Sequence, residues 1–197
     1  PTGSGKSTLA DILMGLIPPS EGRMAVDGTT IDAATRRAWQ RHIAHVPQAI
    51  FLTDATLAEN IAFGEDRARI DPDQLARAIA QAQLEETVAN LPEGLETRVG
   101  ERGVRLSGGQ RQRIAIARAL YREADVIVFD EATSALDTAT ETRVMEAINA
   151  LDRDLTLIMI AHRLSTLRDC DMILEIAAGH ITRAGPAQDI LNTQDPA

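Results

Sequence analysis

Eight residues at the amino end, Pro1-Thr2-Gly3-Ser4-Gly5-Lys6-Ser7-Thr8, have the types and spacing that hold a polyphosphate. Glycines let backbone N–H groups close around phosphate oxygens that a Cβ would obstruct. Lys6 supplies a mobile positive charge for the β- and γ-phosphates, and Ser7 a hydroxyl for Mg²⁺. Leu9, Ile12, Leu13 and Leu16 follow at helical spacing. The loop therefore opens a helix whose unpaired N–H groups and positive dipole end face the same anion. The full pattern is G-x-x-x-x-G-K-[ST], and its first glycine falls one place before Pro1. The chain reads as a fragment that begins inside its own motif, without the strand a phosphate loop should follow.

Three further groups of residues could act on the same ligand. Val126-Ile127-Val128-Phe129 is a continuous apolar run, the mark of a strand buried on both faces of a parallel sheet. Asp130 and Glu131 stand at its C-terminal end, the rim where open α/β sheets bind ligands. Two adjacent acids there are costly without a cation or a chemical task. Leu155–Ile160 reads as a second buried strand, and His162 follows its end, so His162 points to the same rim. Ser107-Gly108-Gly109-Gln110 opens a helix running to about Tyr121. Glycine inside a helix costs about 1 kcal/mol relative to alanine. Two at the entry make sense where a phosphate must approach the backbone closely.

The elements that must position these groups alternate in character. After the first helix, Pro18-Pro19-Ser20-Glu21-Gly22 forms a turn, and Arg23–Ile31 a hairpin about Asp27-Gly28. A short helix holds Arg36, Arg37 and Trp39. Ile43-Ala44-His45-Val46 is a short strand stopped by Pro47, and Gln48 begins the loop beyond it. Taken alone, Gln48 is a solvated loop residue. From Thr53 to Tyr121 the chain is alanine-rich, helical and almost without strand signal, as a helical insertion between two α/β portions would be. Asp71-Pro72-Asp73-Gln74 is a helix start with Asp as cap and Gln reaching back. Arg111, Arg113, Arg118 and Arg122 lie mostly off the apolar face of the next helix and read as a solvated face. Thr138-Ala139-Thr140-Glu141 is a capping box that starts a further helix. Late strands at 171–176 and 180–183 flank Gly179, and Ile190-Leu191 close a last short helix.

Composition sets outer limits. The 197 residues suffice for one domain with a subdomain, at 44% hydrophobic and 25% charged residues. A net charge of −9 disfavours nucleic acid or an anionic membrane surface as a main partner. Cys170 is the single cysteine, so the chain has no internal disulfide and no cysteine metal site. No apolar run reaches the roughly 20 residues that span a bilayer.

Taken together these residues resemble the nucleotide-binding domain of an ATP-binding cassette (ABC) protein. Pro1–Thr8 resembles its Walker A loop, Val46-Pro47-Gln48 its Q-loop, and Leu106–Gln110 its LSGGQ signature. Val126–Glu131 resembles Walker B with the catalytic glutamate, Ser134-Ala135-Leu136-Asp137 the D-loop, and His162 the switch histidine. Thr97–Gly103 resembles the TxVGERG loop of exporters, with Arg98 where acidic residues are common. Ala58–Gly64 and Ile160–Thr166 resemble exporter cassettes too.

The resemblance implies a P-loop NTPase fold: a three-layer α/β/α core with a mostly parallel sheet, carrying an inserted α-helical subdomain. The core would be 1–52 and 122–197 of the 197 residues, and the signature subdomain 53–121. It implies ATP and Mg²⁺ as ligands. Thr2, Gly3, Ser4, Gly5, Lys6, Ser7 and Thr8 would hold the triphosphate. Ser7, Gln48 and Asp130 would place Mg²⁺, Glu131 would polarise the attacking water, and His162 would contact the γ-phosphate. Two cassettes would pair head to tail, with Ser107, Gly108, Gly109 and Gln110 of one closing over the ATP of the other and Asp137 linking the sites. The expected partners are a second such domain and membrane-spanning domains of the same or another chain, at the cytoplasmic face of a membrane. The alternatives are a soluble cassette ATPase of the DNA-repair, chromosome or translation type, and a non-catalytic regulatory cassette. The acidic balance and the Thr97–Gly103 stretch speak against the first, and intact Glu131 and His162 against the second. A simple P-loop kinase has no use for Leu106–Gln110.

Overall fold

A computed structural model of the chain describes residues 4–100, 106–131, 136–149, 155–161 and 167–192. In chain order the elements begin with α1 (Lys6–Leu13), β1 (Ala25–Val26), β2 (Thr29–Thr30), α2 (Arg36–Arg41) and β3 (Ile43–Val46). Next come β4 (Ala55–Thr56), α3 (Leu57–Ile61), α4 (Pro72–Gln81), α5 (Glu85–Ala89), β5 (Arg98–Val99) and α6 (Gly108–Tyr121). The chain continues with β6 (Val126–Asp130), α7 (Thr138–Asn149), β7 (Thr156–Ile160), β8 (Ile173–Ala177), β9 (His180–Gly185) and α8 (Ala187–Asn192). The fold is mixed α/β. It divides into two compact units, one of residues Pro1–Arg41 with Met159–Ala197, the other of His42–Ile158.

In the first unit, α1 is held at both ends. Its N-cap Gly5 has φ +97°, a left-handed conformation that glycine adopts without a Cβ penalty. At the other end Trp39 of α2 donates its indole N–H to the Leu13 carbonyl at 2.7 Å, and Gln40 donates to the Gly15 carbonyl at 3.0 Å. Those carbonyls have no partner within the helix, so α2 completes the hydrogen bonding α1 cannot. The Asp27-Gly28 hairpin forms, pairing Ala25 with Thr30 and Val26 with Thr29. The late strands also pair as expected, β8 antiparallel to β9. Ile173 packs with Ala187 and Ile190 of α8.

In the second unit, β3 and β6 run parallel, with Ile43 opposite Val126 and Val46 opposite Phe129. The sheet order is β3-β6-β7. Ile127, Val128 and Phe129 are 3% exposed or less, so the apolar run is buried on both faces. Each such side chain contributes about 1.5–3 kcal/mol relative to exposure. β7 is different: its residues are half-buried or exposed, not buried as the sequence predicts.

The helical stretch contains one feature that its composition does not announce. Ala55 pairs with Val99 and Thr56 with Arg98 in a two-residue antiparallel ladder, and Leu57 donates its N–H to the Thr97 carbonyl at 3.0 Å. A ladder this short has no alternation to detect. It brings together the two stretches around Ala58–Gly64 and Thr97–Gly100. Asn60, fully buried, locks the turn beneath: its side chain accepts from Thr53 N–H at 2.9 Å and donates to the Thr53 and Thr56 carbonyls at 3.1 and 3.0 Å. α3 starts with a capping box in which Thr56 and Glu59 satisfy each other's backbone N–H groups. Those Thr56 contacts, the backbone one foremost, hold the Glu59 carboxyl below its ordinary range.

Two helix starts differ in detail from their sequence patterns. Asp71 caps α4 as expected, bonding Asp73 N–H and Gln74 N–H. Gln74, however, does not reach back: it donates to the Tyr121 carbonyl, while the Tyr121 hydroxyl accepts the Asp71 N–H. The end of α6 thereby serves as the partner the capping box would otherwise supply. α7 is capped by Asp137, one residue ahead of Thr138. No helix among the described residues is long and apolar enough to cross a membrane.

Candidate functional site

The phosphate loop is described from Ser4 onward; Thr2 and Gly3 lie outside the described residues. Ser4 is buried, and its carbonyl accepts the Gly179 N–H at 3.0 Å, anchoring the loop to the β8–β9 turn. A Cβ on Gly5 would meet Gly179 Cα at 3.4 Å in a conformation already unfavourable to L residues. Lys6 folds back over the loop, its ammonium donating to Ser4 Oγ at 2.9 Å. No side chain caps α1. Its first turn therefore offers backbone N–H donors, and Ser7 and Thr8 are exposed there.

In the second unit the site is built by register. Val46 and Phe129 are opposite each other on parallel strands. Gln48 and Glu131 each lie two residues past that pair, so both chains leave the sheet at the same level on the same rim. There Gln48 Nε2 donates to Glu131 Oε2 at 2.9 Å. Glu131 has φ +51°. A non-glycine residue in that region carries backbone strain, which persists where the surrounding structure enforces it and clusters at functional sites. The turn aims the carboxylate across to Gln48 instead of letting it continue the strand's alternation. Asp130 closes β6 beside it, half-buried.

The LSGGQ stretch folds as a helix entry. Ser107 is the N-cap of α6: its Oγ accepts the Gln110 N–H at 3.2 Å, and Gln110 Oε1 accepts the Ser107 N–H at 2.8 Å. That reciprocal cap offsets the weakness of Gly108 and Gly109, which occupy the first two helical positions. Ser107 and Gly108 remain exposed. Asp137 is exposed and engaged in capping α7, accepting from Thr140 N–H at 3.0 Å and Thr140 Oγ1 at 2.7 Å. The Thr140 hydroxyl, then its N–H, holds the Asp137 carboxyl below the usual range. His162 lies outside the described residues.

Sequence reasoning underrated the arginines of α6. Arg111 and Arg122 are exposed, as a solvated face requires. Arg113 instead bonds the Gln83 carbonyl. Arg118 is half-buried: its Nε donates to the Asn60 carbonyl at 2.9 Å, and both terminal nitrogens reach the Phe51 carbonyl at 3.3 Å. Its guanidinium also lies 4.7 Å from the Phe63 ring centre. Burial pushes its pKa down, although a guanidinium stays charged throughout the accessible range. Its acceptors lie 58 and 67 residues away, beyond any local pattern.

Comparison with known proteins agrees with this geometry. A family model described as "ABC transporter" matches residues 1–134. The chain is 42% identical over 193 residues to an ATP-dependent lipid A-core flippase of Ralstonia nicotianae, covering 98% of this chain and 33% of the relative. It is 43% identical to an uncharacterized ABC transporter ATP-binding protein of Bacillus subtilis, covering 97% of this chain and 33% of the relative. A solved bacterial Atm1-family ABC exporter with ATP bound superposes with a TM-score of 0.90 at 40% identity, over 99% of this chain and 34% of that one. The chain thus spans about one third of the length of the relatives it matches. The likeness extends to the P-loop NTPase fold class, and the soluble-ATPase alternative is not favoured. With the motifs in order, the family model matched and near-complete coverage, this chain belongs to the ABC transporter family.

Proposed function

We propose that this chain is the ATP-binding and ATP-hydrolysing portion of a membrane exporter, working as one of two cassettes that pair head to tail around ATP. The observation that carries the reading is the Gln48–Glu131 hydrogen bond on the rim of adjacent parallel strands, with Glu131 held at φ +51°. Phosphoryl transfer needs positioning and charge stabilisation more than covalent chemistry. Ser4, Gly5, Lys6, Ser7 and Thr8, with Thr2 and Gly3 before them, wrap the triphosphate through N–H groups and the Lys6 charge. Glu131 accepts a proton as water attacks the γ-phosphorus, and the ADP oxygen leaves on the opposite side. Gln48 fixes the orientation of that carboxylate, and His162 contacts the γ-phosphate.

Ser7, Gln48 and Asp130 would hold Mg²⁺: their hydroxyl, amide oxygen and carboxylate are the hard oxygen ligands that this ion takes. Such an ion takes few protein ligands and completes its shell with phosphate and water. Mg²⁺ would neutralise charge on the β- and γ-oxygens. Ser107, Gly108, Gly109 and Gln110 present a capped turn, exposed at Ser107 and Gly108, to the ATP of the second copy, and Asp137 lies at the start of α7 to link the two sites. The remaining partners are membrane-spanning domains of the same or another chain, with the cassette at the cytoplasmic face; the net charge of −9 disfavours nucleic acid as a partner.

The test is Glu131→Gln in the full-length protein. ATP binding persists, while turnover falls by roughly 10²–10⁴, the span of a general base. Turnover near the wild-type rate removes Glu131 from that role.

A further inference from the structure

We propose that Arg118 is a positioning residue that ties the Gln48 loop to the helix bearing Ser107, so that events at Gln48 are registered at the signature turn. The proposal rests on the nucleotide reading above and names a device within it. Arg118 belongs to α6, ten residues after Gly108 on the same unbroken helix, about 15 Å along its axis. Its guanidinium reaches off that helix to two separate pieces of chain. One is the carbonyl of Phe51, three residues beyond Gln48, shared between both terminal nitrogens at 3.3 Å. The other is the carbonyl of Asn60 at 2.9 Å, on the helix whose buried amide holds the Thr53–Thr56 turn. Phe63 lies against the same cation at 4.7 Å.

This arrangement suits transmission better than simple packing. Three residues can extend no more than about 10 Å, so the Phe51 carbonyl stays within that reach of Gln48. Phe51 itself is 67% exposed and its side chain is not buried in the core. The Arg118 fork holds the Phe51 carbonyl through two longer contacts of 3.3 Å, and its tighter bond, at 2.9 Å, is to the Asn60 carbonyl. A planar guanidinium with several donors can hold both carbonyls at once. An ammonium is a single compact charge and cannot keep that geometry.

The experiment uses the full-length protein in nanodiscs with ATP and Mg²⁺. Hydrogen exchange is followed in peptides covering residues 46–52 and 107–112, in wild type and Arg118→Met. In wild type, ATP slows exchange in both. In Arg118→Met, protection of 46–52 remains and protection of 107–112 falls by more than about half. In the same preparations kcat for ATP falls about ten-fold while KM changes less than about two-fold. In a Gln48→Ala background the Arg118→Met change adds less than about two-fold, because both act along one connection. Undiminished protection of 107–112, or independent multiplicative effects on kcat, overturns the proposal. Should Arg118→Met fail to fold, Arg118→Lys carries the same measurement, with the same two outcomes deciding. Absence of ATP protection in wild type refutes the nucleotide reading itself, and this proposal with it.

Discussion

Gly100 is where the structure permits a sharp forecast. It stands at φ +103°, and a Cβ built there would lie 2.7 Å from the Thr53 carbonyl oxygen and 3.0 Å from its carbon. Two penalties then combine in Gly100→Ala. The left-handed backbone costs an L residue about 1–2 kcal/mol. The contact falls on backbone that cannot swing aside, because Asn60 holds Thr53 through both its N–H and its carbonyl. Forced overpacking of this kind costs about 1–3 kcal/mol. Gly64 is the matched control: its φ is +95°, yet a Cβ there meets nothing within 4 Å. Gly64→Ala therefore bears the backbone penalty alone. For a domain of this size 1 kcal/mol shifts Tm by about 2–4 °C. Thermal melts followed by far-UV circular dichroism should place Gly100→Ala roughly 4–20 °C below wild type, and Gly64→Ala only about 2–8 °C below. Equal shifts for the two would refute the reasoning, since they would mean that the approach to Thr53 carries no cost.

Two further outcomes follow from the caps. Ser107→Ala removes the Oγ that accepts the Gln110 N–H and should lower stability by about 1 kcal/mol; Ser107→Thr, which keeps the hydroxyl, should not, and chemical denaturation of both separates the effects. Glu59 has its carboxyl pKa lowered by the Thr56 bonds. Its contribution to stability is therefore complete above the ordinary carboxylate value and fades as pH falls through the depressed one. Glu59→Gln should flatten this part of the pH–stability curve on the acid side and leave its slope at neutral pH unchanged; an acid limb identical to wild type would dismiss the cap as its source.

What could be read in advance divides along physical lines. Val126–Phe129 was legible because burial on both faces demands an uninterrupted apolar run; Ile43–Val46 was legible from its apolar residues and the Pro47 stop, although His45 within it is exposed. The hairpin at Asp27-Gly28 was legible because its turn needs positive φ, which both residues have. Caps were harder. Asp137 and Thr138 are equally suitable residues one place apart; the Thr138–Glu141 spacing pointed to Thr138, and Asp137 took the cap. Gln74 had a local partner in principle, and Tyr121, 47 residues away, took its place. Arg118 shows the same limit: a charged residue at helical spacing says nothing about carbonyls contributed by distant turns. For the candidate site, sequence supplied the residue types, while the pairing of Gln48 with Glu131 had to wait for the register of β3 on β6.

The bond from Trp39 to the Leu13 carbonyl has a practical consequence. Trp39 is the only tryptophan of the chain, and its indole is fastened to the far end of the helix that begins at the phosphate loop. Its ultraviolet emission is therefore a native optical gauge of that helix, readable without attaching a dye.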